Sequence, residues 1–199
     1  MLSVFFLLSF LYSQPQGHRF ERIVNSQGLR SNKVYSIVMD SQGFLWLSTG
    51  FGLYRYDGNI FKQYGNDANE SFTYLGDNLS GHLFIDDADN LWIGTKNNGL
   101  SIINCITESV VHFSHNTSDA TSISHNNVYK VFQDEEGAVW VGTLGGGLNK
   151  FIPSDKSFVS FTPEPDSSGY RASHIYAIVN YSRKQLMVGT SKGLYLFNK

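Results

Sequence analysis

Three aspartates recur along the chain and are the first candidates for chemistry. Asp40, Asp86 and Asp134 each precede a strand-centre residue by six positions. A set of carboxylates can act as general acid and base in hydrolysis, and the acidic run from Asp86 to Asn90 has a composition that suits calcium. The three aspartates occupy equivalent turns of a repeat, so we expect them to lie far apart and to shape turns, with the acidic run at a solvated hairpin tip. The sequence therefore predicts no catalytic residue and no metal ligand.

The composition excludes several other kinds of site. The 199 residues contain one cysteine, Cys105, so no disulfide forms within the chain, and no Cys/His pair has the spacing of zinc ligands. Fifteen basic and 17 acidic residues, without a run of Lys or Arg, argue against nucleic-acid binding. Only 16% of the residues are charged, whereas 15% are aromatic and 19 are glycine. This mixture favours short strands and tight turns, and we predict no cofactor.

A repeat of about 47 residues organises the chain. Each copy contains one of the segments FLWLST, NLWIGT, AVWVGT and QLMVGT. The central residues of these segments are 46, 48 and 47 positions apart and are Trp46, Trp92, Trp140 and Met187. A glycine-leucine pair follows each segment, and its glycine is Gly52, Gly99, Gly147 or Gly193. All three tryptophans of the chain are used in this way.

Each copy is predicted to form four short strands, near residues 34–39, 44–49, 52–57 and 60–64 in the first copy. Large and small residues alternate around the tryptophans, so they take opposite faces of a strand and let sheets stack closely. The recurring Asp accepts from backbone amides ahead of it, and Gly43 or Gly137 can take a positive φ in the same turn. Four-stranded units at this period indicate an all-β fold, a β-propeller of about four blades with four antiparallel strands each.

The ends of the chain differ from the repeat. The first residues, MLSVFFLLSFLY, form an apolar run too short to cross a bilayer as a helix. We interpret residues 1–13 as a signal peptide, although no Lys or Arg precedes the run, and a buried strand is the alternative. A partial propeller then occupies residues 14–199, with blades near 20–66, 67–114, 115–162 and 163–199. Residues 20–199 hold about 3.8 copies, so we expect an open arc with exposed apolar end faces.

The first copy resembles the two-component regulator propeller repeat. The resemblance is carried by FERI at 20–23, DSQGFLWLST at 40–49 and YDG at 56–58, and it extends over residues 20–199. It implies the start of a seven-bladed ring in the periplasmic sensor region of a hybrid two-component sensor histidine kinase, whose parent protein is anchored in the inner membrane. It also implies a glycan-derived oligosaccharide as ligand. The remaining blades and the kinase modules are the implied partners, and homodimer formation stays open.

Candidate ligand-binding residues lie in the loops that lead into the first strand of each blade and in those that join its second and third strands. Four side chains at non-repeating positions could bond sugar hydroxyls or a uronate carboxylate, and these are Arg30, Lys96, His125 and Arg171. Phe51 and Tyr170 are candidates for stacking on a sugar ring. We assign the recurring tryptophans to the core between blades instead.

Two other functions fit the same sequence. A secreted propeller enzyme, such as a polysaccharide lyase or glycoside hydrolase, would add catalysis through a few loop residues, and a purely structural propeller would only bind partners. Fold alone does not separate these functions from sensing. Because no carboxylate pair stands out from the repeat, the sensor is the leading hypothesis, and we expect no enzymatic activity in this chain.

Overall fold

The computed structural model describes residues 28–31, 33–65, 79–163 and 172–199. These residues form four antiparallel sheets, which we call blades 1 to 4. Blade 1 contains β1 (Val34–Met39), β2 (Leu45–Thr49), β3 (Gly52–Tyr56) and β4 (Phe61–Tyr64). Blade 2 contains β5 (Leu79–Ile85), β6 (Asn90–Thr95), β7 (Leu100–Asn104) and β8 (Val110–Phe113). Blade 3 contains β9 (Val128–Gln133), β10 (Val139–Thr143), β11 (Leu148–Ile152) and β12 (Ser157–Phe161), and blade 4 contains β13 (Ile175–Ser182), β14 (Gln185–Thr190) and β15 (Gly193–Asn198).

Within every blade the strands follow one another in sequence order. The first strands β1, β5, β9 and β13 pack against each other in turn and form the inner edge of an arc of blades. The predicted all-β propeller architecture is confirmed, with the difference that blade 4 shows three strands in the described part of the chain. In that part, no helix has the length and apolar character needed to span a membrane. The predicted signal peptide, residues 1–13, lies outside the described residues.

Each tryptophan packs against the following blade and is at most 2% exposed. The three tryptophans, each with one partner from the next blade, are Trp46 with Leu83, Trp92 with Val131, and Trp140 with Ile178. A buried aromatic side chain of this size removes a large apolar area from water, and its truncation to alanine typically costs about 3–5 kcal/mol. These three interfaces are the hydrophobic core of the arc.

A hydrogen bond between aspartate and tryptophan fastens the first turn of blades 1 to 3. The indole Nε1–H groups of the tryptophans donate to carboxylate Oδ2 atoms at 2.8, 2.8 and 2.9 Å, in the pairs Trp46–Asp40, Trp92–Asp86 and Trp140–Asp134. The Oδ1 atom of Asp40 also accepts from the backbone amides of Gln42 and Phe44, and the other two blades repeat this pattern. Each buried carboxylate therefore has several donors, which ties the turn to the core between blades.

A threonine and a glycine close the turn between the second and third strands in every blade. The threonine hydroxyl donates to the glycine carbonyl oxygen over 2.8–3.0 Å, in the pairs Thr49–Gly52, Thr95–Gly99, Thr143–Gly147 and Thr190–Gly193. These glycines have φ between +80° and +117°, a backbone conformation that other residues rarely adopt. A side chain at Gly99 would also overlap the carbonyl group of Phe113.

Asp89 shows how the second copy departs from the repeat. It stands where the first and third copies have glycine, and its φ is +60°. Its carboxylate accepts from the backbone amide of Ser41 at 3.0 Å and from the Ser41 hydroxyl at 2.8 Å. These bonds cross from blade 1 to blade 2 and offset the strain of a left-handed aspartate.

The arc is open in the described residues, and both of its ends expose apolar side chains. Val179, Leu194 and Leu196 of blade 4 are 51%, 67% and 51% exposed. On blade 1, Ile37 and Met39 are 57% and 64% exposed. The face of blade 4 that would meet a following blade is therefore uncovered, which agrees with the predicted open arc.

Candidate functional site

Backbone hydrogen bonds join the candidate loops of blades 2, 3 and 4 to one another. We call the surface that carries all the candidate loops the loop face; in the described residues it comprises 28–31, 50–51, 96–98, 124–127, 144–146, 172–174 and 191–192. The Gly99 amide of blade 2 donates to the Asn126 carbonyl at the start of blade 3 over 2.8 Å. The amides of Gly145 and Gly147 in blade 3 both donate to the Ser173 carbonyl of blade 4, at 3.0 and 2.9 Å. The loops of blades 2 and 3, and those of blades 3 and 4, are therefore connected directly through their backbones.

Lys96 and His125 reach the loop face from adjacent blades. Lys96 is exposed on the loop between β6 and β7, whereas His125 is half-buried in the segment that leads into β9. The Gly99–Asn126 hydrogen bond holds these two loops together. The structure thus brings two of the predicted residues to the same surface, and their role in binding stays a prediction.

The imidazole of His125 is held in a defined orientation. Its Nδ1 accepts from the backbone amide of Asn127 at 3.0 Å, and its ring covers Gly145, where a Cβ atom would lie 3.1 Å from the ring. Burial, followed by the charges of His115 and His174, lowers the pKa of His125. At neutral pH the ring is therefore uncharged and carries its proton on Nε2, which can donate to a ligand hydroxyl.

Arg30 and Phe51 lie on the blade 1 part of the loop face. Both side chains are exposed, and that of Phe51 has 57% of its surface accessible. A Cβ atom on Gly50 would lie 3.6 Å from the Tyr35 hydroxyl and 4.0 Å from the Ser31 hydroxyl, so the β2–β3 loop lies beside the segment that leads into β1. The other two predicted residues, Tyr170 and Arg171, lie outside the described residues.

Sequence reasoning missed three tyrosines on the inner edge of the arc. Tyr35, Tyr129 and Tyr176, which we call the tyrosine row, occupy the second position of β1, β9 and β13. Each lies where the register with the second strand shifts, at a β-bulge. They are 54%, 40% and 45% exposed, unlike the tryptophans of the same repeat. The recurring hydrophobic-tyrosine pair was the available signal, but the sequence does not reveal the bulge that exposes the ring.

Lys130 and His82 lie on the inner strands next to the tyrosine row. In the described part of the chain, no hydrogen bond or ion pair engages the Lys130 ammonium, although its side chain is half-buried. Burial lowers the pKa of Lys130, while burial and then the Lys130 charge lower the pKa of His82. The His82 Nε2 atom lies 3.3 Å from the carbonyl oxygen of Val131 in the next blade. The inner surface therefore presents an amine whose charge has no local partner among these residues.

The recurring carboxylates are already engaged. Besides the tryptophan bonds, Asp86 also accepts from the Asn90 side chain, and Asp89 is bound to Ser41. Among the residues that the structure describes, no group of three His, Cys, Asp or Glu side chains is placed to hold a metal ion. The Cys105 thiol is 2% exposed, and burial, followed by Asp89, Asp40 and Asp86, raises its pKa to about 12. Such a thiol stays protonated and is a poor nucleophile.

Four successive antiparallel blades, the first three with the same aspartate–tryptophan bond, define the β-propeller class. The sequence profile of the two component regulator propeller matches residues 28–51 and 122–145. These matches confirm the resemblance seen in the sequence: the chain carries two component regulator propeller repeats. No curated protein matches the chain in sequence.

Two solved structures are similar to the chain, the first in sequence and fold and the second in fold alone. The extracellular domain of a hybrid two component system from B. thetaiotaomicron is 26% identical, with a TM-score of 0.78, over 89% of this chain and 25% of that one. The chain thus spans about a quarter of that relative. PorZ, a surface component of the type-IX secretion system of Porphyromonas gingivalis, is 19% identical, with a TM-score of 0.64, over 90% of this chain and 28% of that one.

An enzyme with the same architecture is also similar to the chain. Virginiamycin B lyase from Staphylococcus aureus is 14% identical, with a TM-score of 0.53, over 83% of this chain and 55% of the lyase. At this identity the likeness shows the fold alone. The chain is therefore a propeller region related to extracellular domains of hybrid two component systems, and this relation indicates an exported region.

Proposed function

We propose that the chain is the N-terminal portion of the extracytoplasmic, ligand-sensing propeller of a hybrid two-component sensor histidine kinase, and that it binds an oligosaccharide derived from a glycan. The observation that carries this proposal is the combined match to the two component regulator propeller repeat and to an extracellular domain of a hybrid two component system. In this proposal residues 1–13 direct export to the periplasm, and the parent protein is anchored in the inner membrane. The remaining blades and the kinase modules are its partners.

The geometry supports binding better than catalysis. The recurring carboxylates are held by indole and backbone amide groups in separate blades, so they do not form the close acid–base pair that glycoside hydrolysis uses. In contrast, the loop face offers the Nε2–H of His125 together with the exposed side chains of Lys96, Arg30 and Phe51. We infer that the chain recognises its ligand and leaves it chemically unchanged.

Sensing requires that the ligand favour one arrangement of the protein over another. A ligand that lies across the inner edge or the loop face contacts several blades at once, because each blade contributes one strand and two loops to these surfaces. Its binding free energy then depends on how the blades are placed relative to each other. The ligand can therefore shift an equilibrium between two arrangements by its difference in affinity for them.

The coding sequence downstream of Lys199 tests this proposal. We expect further blades, a membrane-spanning segment and a histidine kinase in the same reading frame. A stop codon after additional blades, combined with a carboxylate pair on a loop of those blades, would contradict the sensor and favour a secreted enzyme. A stop codon without such a pair would leave a structural propeller, and would equally contradict the proposal.

A further inference from the structure

The tyrosine row is exposed because of a repeated irregularity in the inner strands. The register between the first and second strands shifts between Val34 and Ser36 in blade 1, and the same shift brackets Tyr176 in blade 4. In blade 3 the shift falls between Gly142 and Thr143, opposite Tyr129. A bulge leaves one residue unpaired and turns its side chain away from the regular faces of the sheet. The tyrosines therefore leave the packed interfaces between blades.

The row is an aromatic surface that crosses from blade to blade. The rings of Tyr129 and Tyr176 meet edge to face with their centroids 5.6 Å apart, although they belong to different blades. The Tyr35 hydroxyl lies beside Gly50, so blade 1 presents its ring at the margin of the loop face. The second copy has Gly81 instead of a tyrosine at the equivalent position of the sequence repeat. Exposed tyrosines that lie in series offer rigid apolar faces and hydroxyl groups at low entropic cost.

Lys130 adds a positive charge to this surface. It directly follows Tyr129 and pairs across the sheet with Gly142, where an added Cβ atom would point at Ile175 of blade 4. Paired residues share a face of the sheet, so the Lys130 side chain leaves β9 toward β13, the strand that carries Tyr176. A half-buried ammonium that finds no acceptor among the described residues is unfavourable, and an anionic group would relieve it.

We propose that the tyrosine row and Lys130 form a binding surface for an acidic oligosaccharide, in which Tyr129 and Tyr176 stack on sugar rings and Lys130 pairs with a carboxylate. This inference rests on the proposed function, because it names the ligand class and the surface used by the same sensing region. The apolar ring faces match the C–H face of a pyranose, and the tyrosine hydroxyls match its hydroxyl groups. The loop face then borders the ligand at one end of the inner strands.

Calorimetric titration with matched acidic and neutral ligands tests the inference. The probes are oligogalacturonates and their methyl esters, alginate and glucuronoxylan oligosaccharides, and neutral maltose- and cellulose-derived oligosaccharides of equal length. Tyr129→Ala and Tyr176→Ala should each weaken binding of the acidic ligand about tenfold, whereas Tyr129→Phe should retain most of the affinity. Tyr181→Ala is the control, since Tyr181 is 61% exposed at the far end of β13.

Lys130→Met tests the charge separately. We expect it to weaken binding of the acid about tenfold or more and to leave neutral ligands unaffected, while Lys184→Met, at an exposed turn, changes neither. Urea unfolding midpoints show which variants are folded, and Tyr176→Ala keeps the stacking test valid if Tyr129→Ala does not fold. If saccharides bind but the tyrosine variants bind equally well, or an acid and its methyl ester bind alike, the inference is overturned and the proposed function stands. If no probe binds, both fail.

Discussion

Replacing Gly142 with alanine tests how closely blades 3 and 4 pack. Gly142 lies in β10 and faces Ile175 of the next blade. A Cβ atom at this position would lie 2.7 Å from Ile175 Cγ2 and 2.9 Å from Ile175 Cβ. Both distances are shorter than carbon atoms tolerate, and Ile175 is 1% exposed and branched at Cβ, so its side chain has little freedom to move away. The blades must therefore separate.

The overlap between an added Cβ atom and Ile175 determines how much stability Gly142→Ala loses. Adding a methyl group to a well-packed core costs about 1–3 kcal/mol. For a chain of this length, that cost lowers the melting temperature by about 2–12 °C. Ile175→Ala removes the Cγ2 contact, so Gly142→Ala should cost about 1 kcal/mol less in that background, which a double-mutant cycle in urea measures.

Gly189 is the matched control. It has the same position in the repeat but lies in blade 4. The atom nearest to an added Cβ there would be Ala177 Cβ, at 3.3 Å. We expect Gly189→Ala to change the free energy of unfolding by less than about 0.5 kcal/mol, because the reduced freedom of the unfolded chain offsets a mild contact. Equal effects of Gly142→Ala and Gly189→Ala, or no coupling with Ile175, would refute this account of the blade interface.

Three further predictions concern polar and titratable groups. Asp86→Asn replaces a carboxylate that accepts from the Trp92 indole N–H and two backbone amides, so we expect the free energy of unfolding in urea to fall by about 1–3 kcal/mol. Asp87→Asn, at the exposed tip, should leave it unchanged. Cys105 should react with Ellman's reagent only after unfolding, since burial raises its pKa to about 12; rapid labelling of the native protein would contradict this. Burial lowers the pKa of His82, so the imidazole of the unfolded chain takes up its proton before that of the folded chain as the pH falls through about 6.5. The free energy of unfolding should therefore decrease from pH 7.5 to pH 5.5. We expect a larger decrease in the wild type than in His82→Gln.

The repeat made most of the fold predictable. Hydrophobic alternation and turn residues recur in every copy, so the strands were predicted to within one residue in blade 1. The small differences have local causes. The Phe44 amide donates to the Asp40 carboxylate, so this residue belongs to the turn and β2 begins at Leu45. Similarly, the Asp57 carboxylate accepts from the amides of Asn59 and Ile60, so β3 ends at Tyr56.

Contacts between blades were harder to predict, because they depend on registers that the repeat does not specify. Arg55 of blade 1 forms an ion pair with Glu108 of blade 2 at 2.7 Å, and its guanidinium lies over the Phe44 ring at 4.5 Å. Neither Arg55 nor Glu108 recurs at the equivalent positions of the other copies. The same limit explains why the candidate site was incomplete. The tyrosines recur and read as structural residues, and only the bulge shows that they are exposed.

Isothermal titration calorimetry of the unaltered protein with the oligosaccharide panel tests the central claim most directly. The account predicts that an acidic oligosaccharide binds at a single site and that its neutral counterpart binds at least tenfold more weakly. Absence of binding heat at several temperatures for every oligosaccharide of the panel, with a protein that unfolds cooperatively in urea, would contradict it.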